Sequence, residues 1–160
     1  LFSVTLRQIG SCIARAQLED AIDVILHDND NGSGPEVTIV SDLDCIALVN
    51  FWNTLYPYQM DTLLAGNDTA VKLIGLGGSS CMVTPHGVNI FGAQLVRTLA
   101  MPDSTIIGLD KNRALGMVRI GGIMVEYNKL IDRKFELAAI TSIAGFAKIF
   151  PDASTVLVIK

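Results

Sequence analysis

The order of patterned segments along this 160-residue chain predicts an α+β fold, in one compact domain or two small lobes sharing a core. Three observations carry that prediction. One long segment near the start repeats apolar residues at helical spacing, and several short apolar runs follow, separated by turn residues and shorter helical patterns. Half of the residues are apolar and only 18% are charged, which supplies material for a buried core.

Taken in order, the segment from Ser3 to His27 reads as a helix. Leu6, Ile9, Ile13 and Ala16, then Leu18, Ile22 and Ile25, recur in three- and four-residue steps, with Gln8, Arg15, Glu19 and Asp23 facing elsewhere. At ~1.5 Å per residue the helix would span roughly 37 Å, long enough to serve as a spine. Asn31, Gly32, Ser33, Gly34 and Pro35 stop it and form a connection. "EVTIV" follows as a short strand, and Ser41 or Asp42 is placed to cap a second helix through "LDCIALVNFWNTL". That helix ends before Pro57, because the residue preceding a proline avoids the α region.

"MDTLLAG" reads as a buried strand, after which Asn67 or Asp68 caps a short helix, "TAVKLIGL", broken near Gly75, Gly77 and Gly78. "SSCMVTPHGV" is expected to be a loop leading into a strand. "AQLVRTLA", "STIIGLD" and "GIMVEYN" are strand candidates, with a short helix "KNRALGMV" between the last two. The run "KFELAAITSIAGFAKIF" alternates imperfectly: Phe135, Leu137 and Ala139 share one face, and Glu136, Ala138 and Ile140 the other. Periodicity alone leaves helix and strand both open there.

Charge excludes some partners. The net charge is −4 and the densest basic run is only Asp132 to Lys134, so neither a basic nucleic-acid stripe nor a polybasic membrane-surface segment is present. Leu73 to Val96 lacks charge and is long enough to span a bilayer on length alone. Its five glycines, Pro85, Asn89 and Gln94 would break a helix and strand polar groups in lipid, so it reads as loops and strands. Cys12, Cys45 and Cys81 are odd in number, form no CxxC and follow no secretory signal. A reducing compartment is expected, with each thiol a small buried apolar group. The chain starts at Leu1, inside a helical pattern, as a fragment or trimmed chain would.

Candidate sites are thin. In "LHDNDNGSGPE", Asp28 and Asp30 resemble the start of a calcium loop, but Gly32 falls where the third ligand belongs and Ile39 where the closing glutamate belongs. Helix-end and turn chemistry accounts for these residues better. "GLGGSS", Gly75 to Ser80, lacks the last glycine of a dinucleotide fingerprint and follows a helical segment where a strand is required. Cys81 and His86, with Ser79 and Ser80 nearby, form a hydrolase arrangement on sequence proximity alone. His27 and His86 are the only histidines, too few for an imidazole metal site. Trp52, Tyr56 and Tyr58 in "NFWNTLYPYQM" lack the interleaved basic residues of a single-strand platform and read as packing that locks a helix end onto a sheet. No catalytic, cofactor-binding or metal-ligating residue is assigned, no cofactor is expected, and the chain reads as a non-enzyme.

Several stretches resemble the major capsid proteins of tailed bacteriophages and prophages. They are "LEDAIDVILHDNDNG", "LVNFWNTLYPYQMDTLLAG", "STIIGLDKNRALGMV" and "VEYNKLIDRKFELAAITSIAGFAKIFPDA", covering most of the chain from about Gln17 in order. The resemblance implies a long spine helix with long strands in a peripheral lobe (residues 1–35 and 128–160) and an inserted α/β axial lobe (36–127). It also turns "KFELAAITSIAGFAKI" into strand. It implies a shell subunit that self-assembles into pentamers and hexamers enclosing DNA, found in the virion capsid and, during assembly, in the host cytoplasm. Its partners would be other copies of itself, with scaffold and portal proteins as further candidates, and no specific nucleic acid and no membrane. The family's N-terminal arm and extended loop are expected to be missing. Encapsulin nanocompartment shells share the fold and are the alternative reading, with the Cys81–His86 hydrolase ranked below it.

Overall fold

A computed structural model describes residues 2–27, 35–78, 81–84, 87–130 and 135–160. The elements run α1 (Phe2–Leu26), β1 (Glu36–Val40), α2 (Cys45–Thr54), β2 (Thr62–Ala65), α3 (Asn67–Gly77), β3 (Cys81–Thr84) and β4 (Gly87–Ile90). β5 (Ala93–Arg97), β6 (Thr105–Leu109), β7 (Leu115–Leu130), β8 (Phe135–Lys148), a 3-10 turn (Pro151–Ala153) and β9 (Ser154–Ile159) complete the chain. The acidic connection after α1, expected to turn the chain, lies outside the described residues.

Seven strands form one sheet in the order β1-β9-β6-β2-β5-β4-β3, and β7 pairs with β8 in a separate two-stranded ribbon. β1 runs parallel to β9 and β2 parallel to β5, while the remaining neighbours are antiparallel. Period-two alternation divides the sheet's side chains between two cores. Leu63, Ile106 and Leu157 point to a face covered by α2 and α3, where they join Leu48, Phe51, Leu55, Ala70 and Leu73. Leu64, Ile107 and Val156 point the other way, toward Ile22 and Ile25 at the end of α1. β6 is buried along its whole length because both of its faces are covered.

The long helix forms as expected, but its buried stripe changes direction midway. Leu6, Ile9, Ile13 and Gln17 are half-buried, and Ala16 is exposed. Gln17 Nε2 donates to Ser142 Oγ on β8 at 3.3 Å, which places this stripe against the ribbon. From Leu18 onward, Ile22, Ile25 and Leu26 turn toward the sheet. The C-terminal run is strand β8, as the resemblance implied, and not a helix.

Several local expectations need correction. α2 is capped by Asp44 rather than Ser41 or Asp42, since Asp44 Oδ1 accepts from Ala47 N at 2.6 Å. α3 starts after Gly66, with Asn67 already helical and Asp68 in the first turn, where its charge suits the helix dipole. The "SSCMVTPHGV" segment contains a strand pair, β3 with β4, rather than a loop alone. "KNRALGMV" is not a helix. Asp110 closes a single turn by accepting Asn112 N on its side chain and Arg113 N and Ala114 N on its carbonyl, and β7 starts at Leu115. Leu115–Ile120 and Met124–Leu130 pair with β8 in the ribbon, and Ser154–Ile159 lies in the large sheet between β1 and β6.

Candidate assembly interface

Among the described residues, the ribbon carries many of the exposed large apolar side chains. Its register runs from Leu115 opposite Lys148 to Ile120 opposite Ile143, then resumes at Met124 opposite Thr141 and ends with Leu130 opposite Phe135. The offset makes a bulge at Gly121, where φ is +70° and glycine carries no steric cost. Residues directly opposite in an antiparallel pair share a face. β8 shows half-buried Ile140, Ser142, Ala144 and Phe146 on the α1 side and exposed Thr141, Ile143 and Ala147 on the other. α1 covers β8 only. Met117 and Val125 of β7 stay exposed on the helix side, while Val118 (66%), Ile120 (67%), Met124 and Ile143 are exposed on the far side. A two-stranded ribbon is marginal in water by itself, and one with apolar groups on both faces is a surface made to be covered.

A second uncovered surface lies on the large sheet and its first-face helix. β1 is an edge strand, and Val37 and Ile39 are exposed on it. α2 buries Leu48 and Phe51 but leaves Ile46 (70%), Val49, Trp52 (51%) and, just past its end, Tyr56 (83%) in solvent. The reading of the aromatic stretch as packing therefore holds for Phe51 and in part for Tyr58. Tyr58 lies 6.1 Å from the Phe150 ring and under the Arg113 guanidinium at 5.8 Å, tying the ribbon's base to the sheet. It fails for Trp52 and Tyr56. The signal in the sequence was the absence of any charged residue between Asp44 and Asp61, unusual for an exposed helix.

The residues singled out for chemistry are scattered. Cys81 opens β3, while Ser79, Ser80 and His86 lie outside the described residues. Cys12 and Cys45 are exposed rather than buried, since each falls on the solvent side of its helix. Gly75 and Gly77 belong to the end of α3, so a helix leads into the glycine-rich stretch and no strand does. Among the described residues no three His, Cys, Asp or Glu side chains gather as metal ligands. Asp61 is spent on structure: its Oδ1 accepts from Thr62 Oγ1 at 2.9 Å and from Lys111 N at 3.0 Å. An open cleft of about 590 Å³ at the start of α3 is lined by Asp68, Lys72, Asp103 and Ser104 together with Thr69 and Thr98. No described helix is long and apolar enough to cross a membrane.

A long helix laid along a two-stranded ribbon, joined to a mixed sheet with helices on both faces, is the tailed-phage major capsid fold. Solved structures show the likeness over nearly the whole chain. The capsid of an empty GTA particle superposes with a TM-score of 0.74 at 13% identity, covering 99% of this chain and 66% of that one. The holo-SrpI encapsulin complex of Synechococcus elongatus gives 0.70 at 14% identity, covering 96% and 63%. The Mycobacterium phage Che8 protein gives 0.65 at 15% identity, covering 96% and 61%. Identities this low establish the fold alone, and the chain spans under two thirds of the length of each of these proteins. No protein-family model matches the sequence, nor does any curated protein.

Proposed function

We propose that this chain belongs to a shell subunit that assembles through copies of itself into a closed, icosahedral particle. The observation that carries the reading is the apolar, half-covered ribbon of β7 and β8 within a fold that GTA, phage and encapsulin proteins share. A subunit repeated by rotation meets its neighbours through heterologous contacts, and such contacts need apolar centres with polar rims. In the finer form of the reading, the particle is a phage or prophage capsid of pentamers and hexamers enclosing DNA. It resides in the virion after assembly in the host cytoplasm, with scaffold and portal proteins as assembly partners. The net charge of −4 suits a wall that surrounds DNA without gripping its phosphates, and a shell role requires no catalytic residue.

The second reading is an encapsulin-type nanocompartment, favoured by the Synechococcus likeness over 96% of the chain. One experiment addresses both. The full gene product is expressed, and its particles are purified for electron microscopy and content analysis. Shells that contain nuclease-protected DNA support the capsid, and shells filled with a protein cargo support the compartment. A product that forms neither shells nor rings, with or without scaffold, overturns both.

A further inference from the structure

We propose that the outward face of α2 is a contact surface between copies of this chain, an inference that rests on the shell-subunit reading. Cys45, Val49, Trp52 and Tyr56 follow one another in steps of four, three and four, and so form one stripe on the helix, with Ile46 beside it. All five are exposed, and Leu48, Phe51 and Leu55 on the adjoining inward side fill the core. The other two helices carry charges on their surfaces, Arg7, Arg15, Glu19 and Asp23 on α1 and Asp68 and Lys72 on α3, whereas α2 carries none.

Charge depletion with Trp and Tyr enrichment is the composition of an interface centre. Asn50 and Asn53, both exposed on the same helix, supply neutral hydrogen-bonding groups for its rim. Size agrees. Trp52 and Tyr56 at their observed exposures offer roughly 300 Å². With Ile46 and Val49 the face reaches on the order of 500 Å², more than half of the ~800 Å² that each partner contributes to a standard interface. The chemistry selects the occupant. A phosphate backbone requires basic groups, and a membrane-surface helix carries Lys or Arg on its polar face. Neither occurs from Cys45 to Met60. A second copy, apolar and repeated by symmetry, meets the requirement.

The test uses the full gene product, unmodified and as the double variant Val49→Glu, Trp52→Glu. Particle formation is followed by electron microscopy and sedimentation, and folding by circular dichroism. Cys45 supplies an independent readout, because this exposed residue begins the same stripe, with its Sγ donating to the Leu76 carbonyl of α3 at 3.6 Å. Maleimide labelling is mapped to the Cys45 peptide in intact shells and in dissociated subunits. The expected result is a folded double variant that stays as free subunits, and Cys45 labelling slowed about tenfold or more in shells. Shells from the unmodified product, together with normal shells from the variant and equal Cys45 labelling in shells and subunits, overturn this inference and leave the shell reading standing. An unmodified product that never assembles overturns the shell reading and this inference with it. If the variant fails to fold, the Cys45 ratio in the unmodified protein decides alone: strong slowing supports the contact, and a ratio near one overturns it.

Discussion

Gly108 sits in β6, the strand buried on both faces, directly beneath α2 and the chain after it. A Cβ added there would meet Phe51 Cε1 at 3.0 Å and Met60 Sδ at 2.9 Å, with Met60 Cε closer still. The Met60 thioether can rotate away, but Phe51 is anchored among Leu48, Leu55 and Leu157 and can retreat only if α2 lifts from the sheet. Gly108→Ala should therefore cost about 1–3 kcal/mol of overpacking. About 0.5–1 kcal/mol of that is returned by the lower chain entropy of alanine in the unfolded state. The net loss is on the order of 1–2 kcal/mol, or a fall of about 2–8 °C in Tm for a domain of this size. Urea unfolding of the purified chain, followed by far-ultraviolet circular dichroism, measures it. Met60→Ala alone should cost about 2–5 kcal/mol, and the double variant less than the sum, because the alanine methyl enters the space that Met60 leaves. An unchanged or raised midpoint for Gly108→Ala, or simple additivity in the double variant, would refute this account of the packing.

Three further outcomes are expected. Asp44→Ala removes the acceptor for Ala47 N and should lower stability by about 1 kcal/mol in a thermal melt, whereas Asp44→Ser should keep most of it. Lys148 Nζ is shut from water without a hydrogen-bond partner among the described residues, so Lys148→Met should leave the Tm unchanged or raise it. The gain would be up to about 1–2 kcal/mol, because an unsatisfied buried donor is removed and the aliphatic stem kept. Leu157→Ala in β9 should cost about 2–5 kcal/mol, because that side chain is fully buried between α2 and the sheet. A loss below 1 kcal/mol in urea unfolding would mean that β9 does not pack under α2 between β1 and β6.

Much of the large sheet could be read from the sequence, because its strands are buried and its turns carry Gly, Asn and Asp. β2, β5 and β6 are apolar runs of strand length, and the helical period of α1 is plain. What was hidden had physical causes. The N-cap of α2 was misplaced by two residues or more because Asp42 and Asp44 are both competent acceptors, and only the geometry of Ala47 N decides between them. The Asp110 turn resembled a helix start because a single closed turn uses the same side-chain-to-backbone bonds. The alternation of β8 was blurred because the ribbon is uncovered on one side. Apolar and small residues occupy both faces, and no inside-outside contrast develops. The candidate surface on α2 was visible as an aromatic cluster, but sequence does not tell a buried Phe51 from an exposed Trp52 one position later. Only the direction of the helix does that.

The large sheet and the ribbon differ in how they are covered. The seven-stranded sheet buries apolar side chains on both faces, with Ile22 and Ile25 of α1 completing one core, and Tyr58 touches both cores. The ribbon is less covered. The first part of α1 lies along β8, Leu115 packs into the second core at the ribbon's base, and the last turns of α1 are buried against the sheet. The ribbon is nonetheless held firmly at its base: Ile149 N and Phe150 N donate to Ala114 and Arg113 carbonyls, and Phe150 stacks near Tyr58. A rigid root under an uncovered apolar blade fixes the direction in which the blade projects while leaving its faces free. That combination is costly in an isolated monomer, where exposed apolar area gains nothing. In the closed shell proposed above, the root would set the angle at which each copy meets the next and the faces would supply the contact.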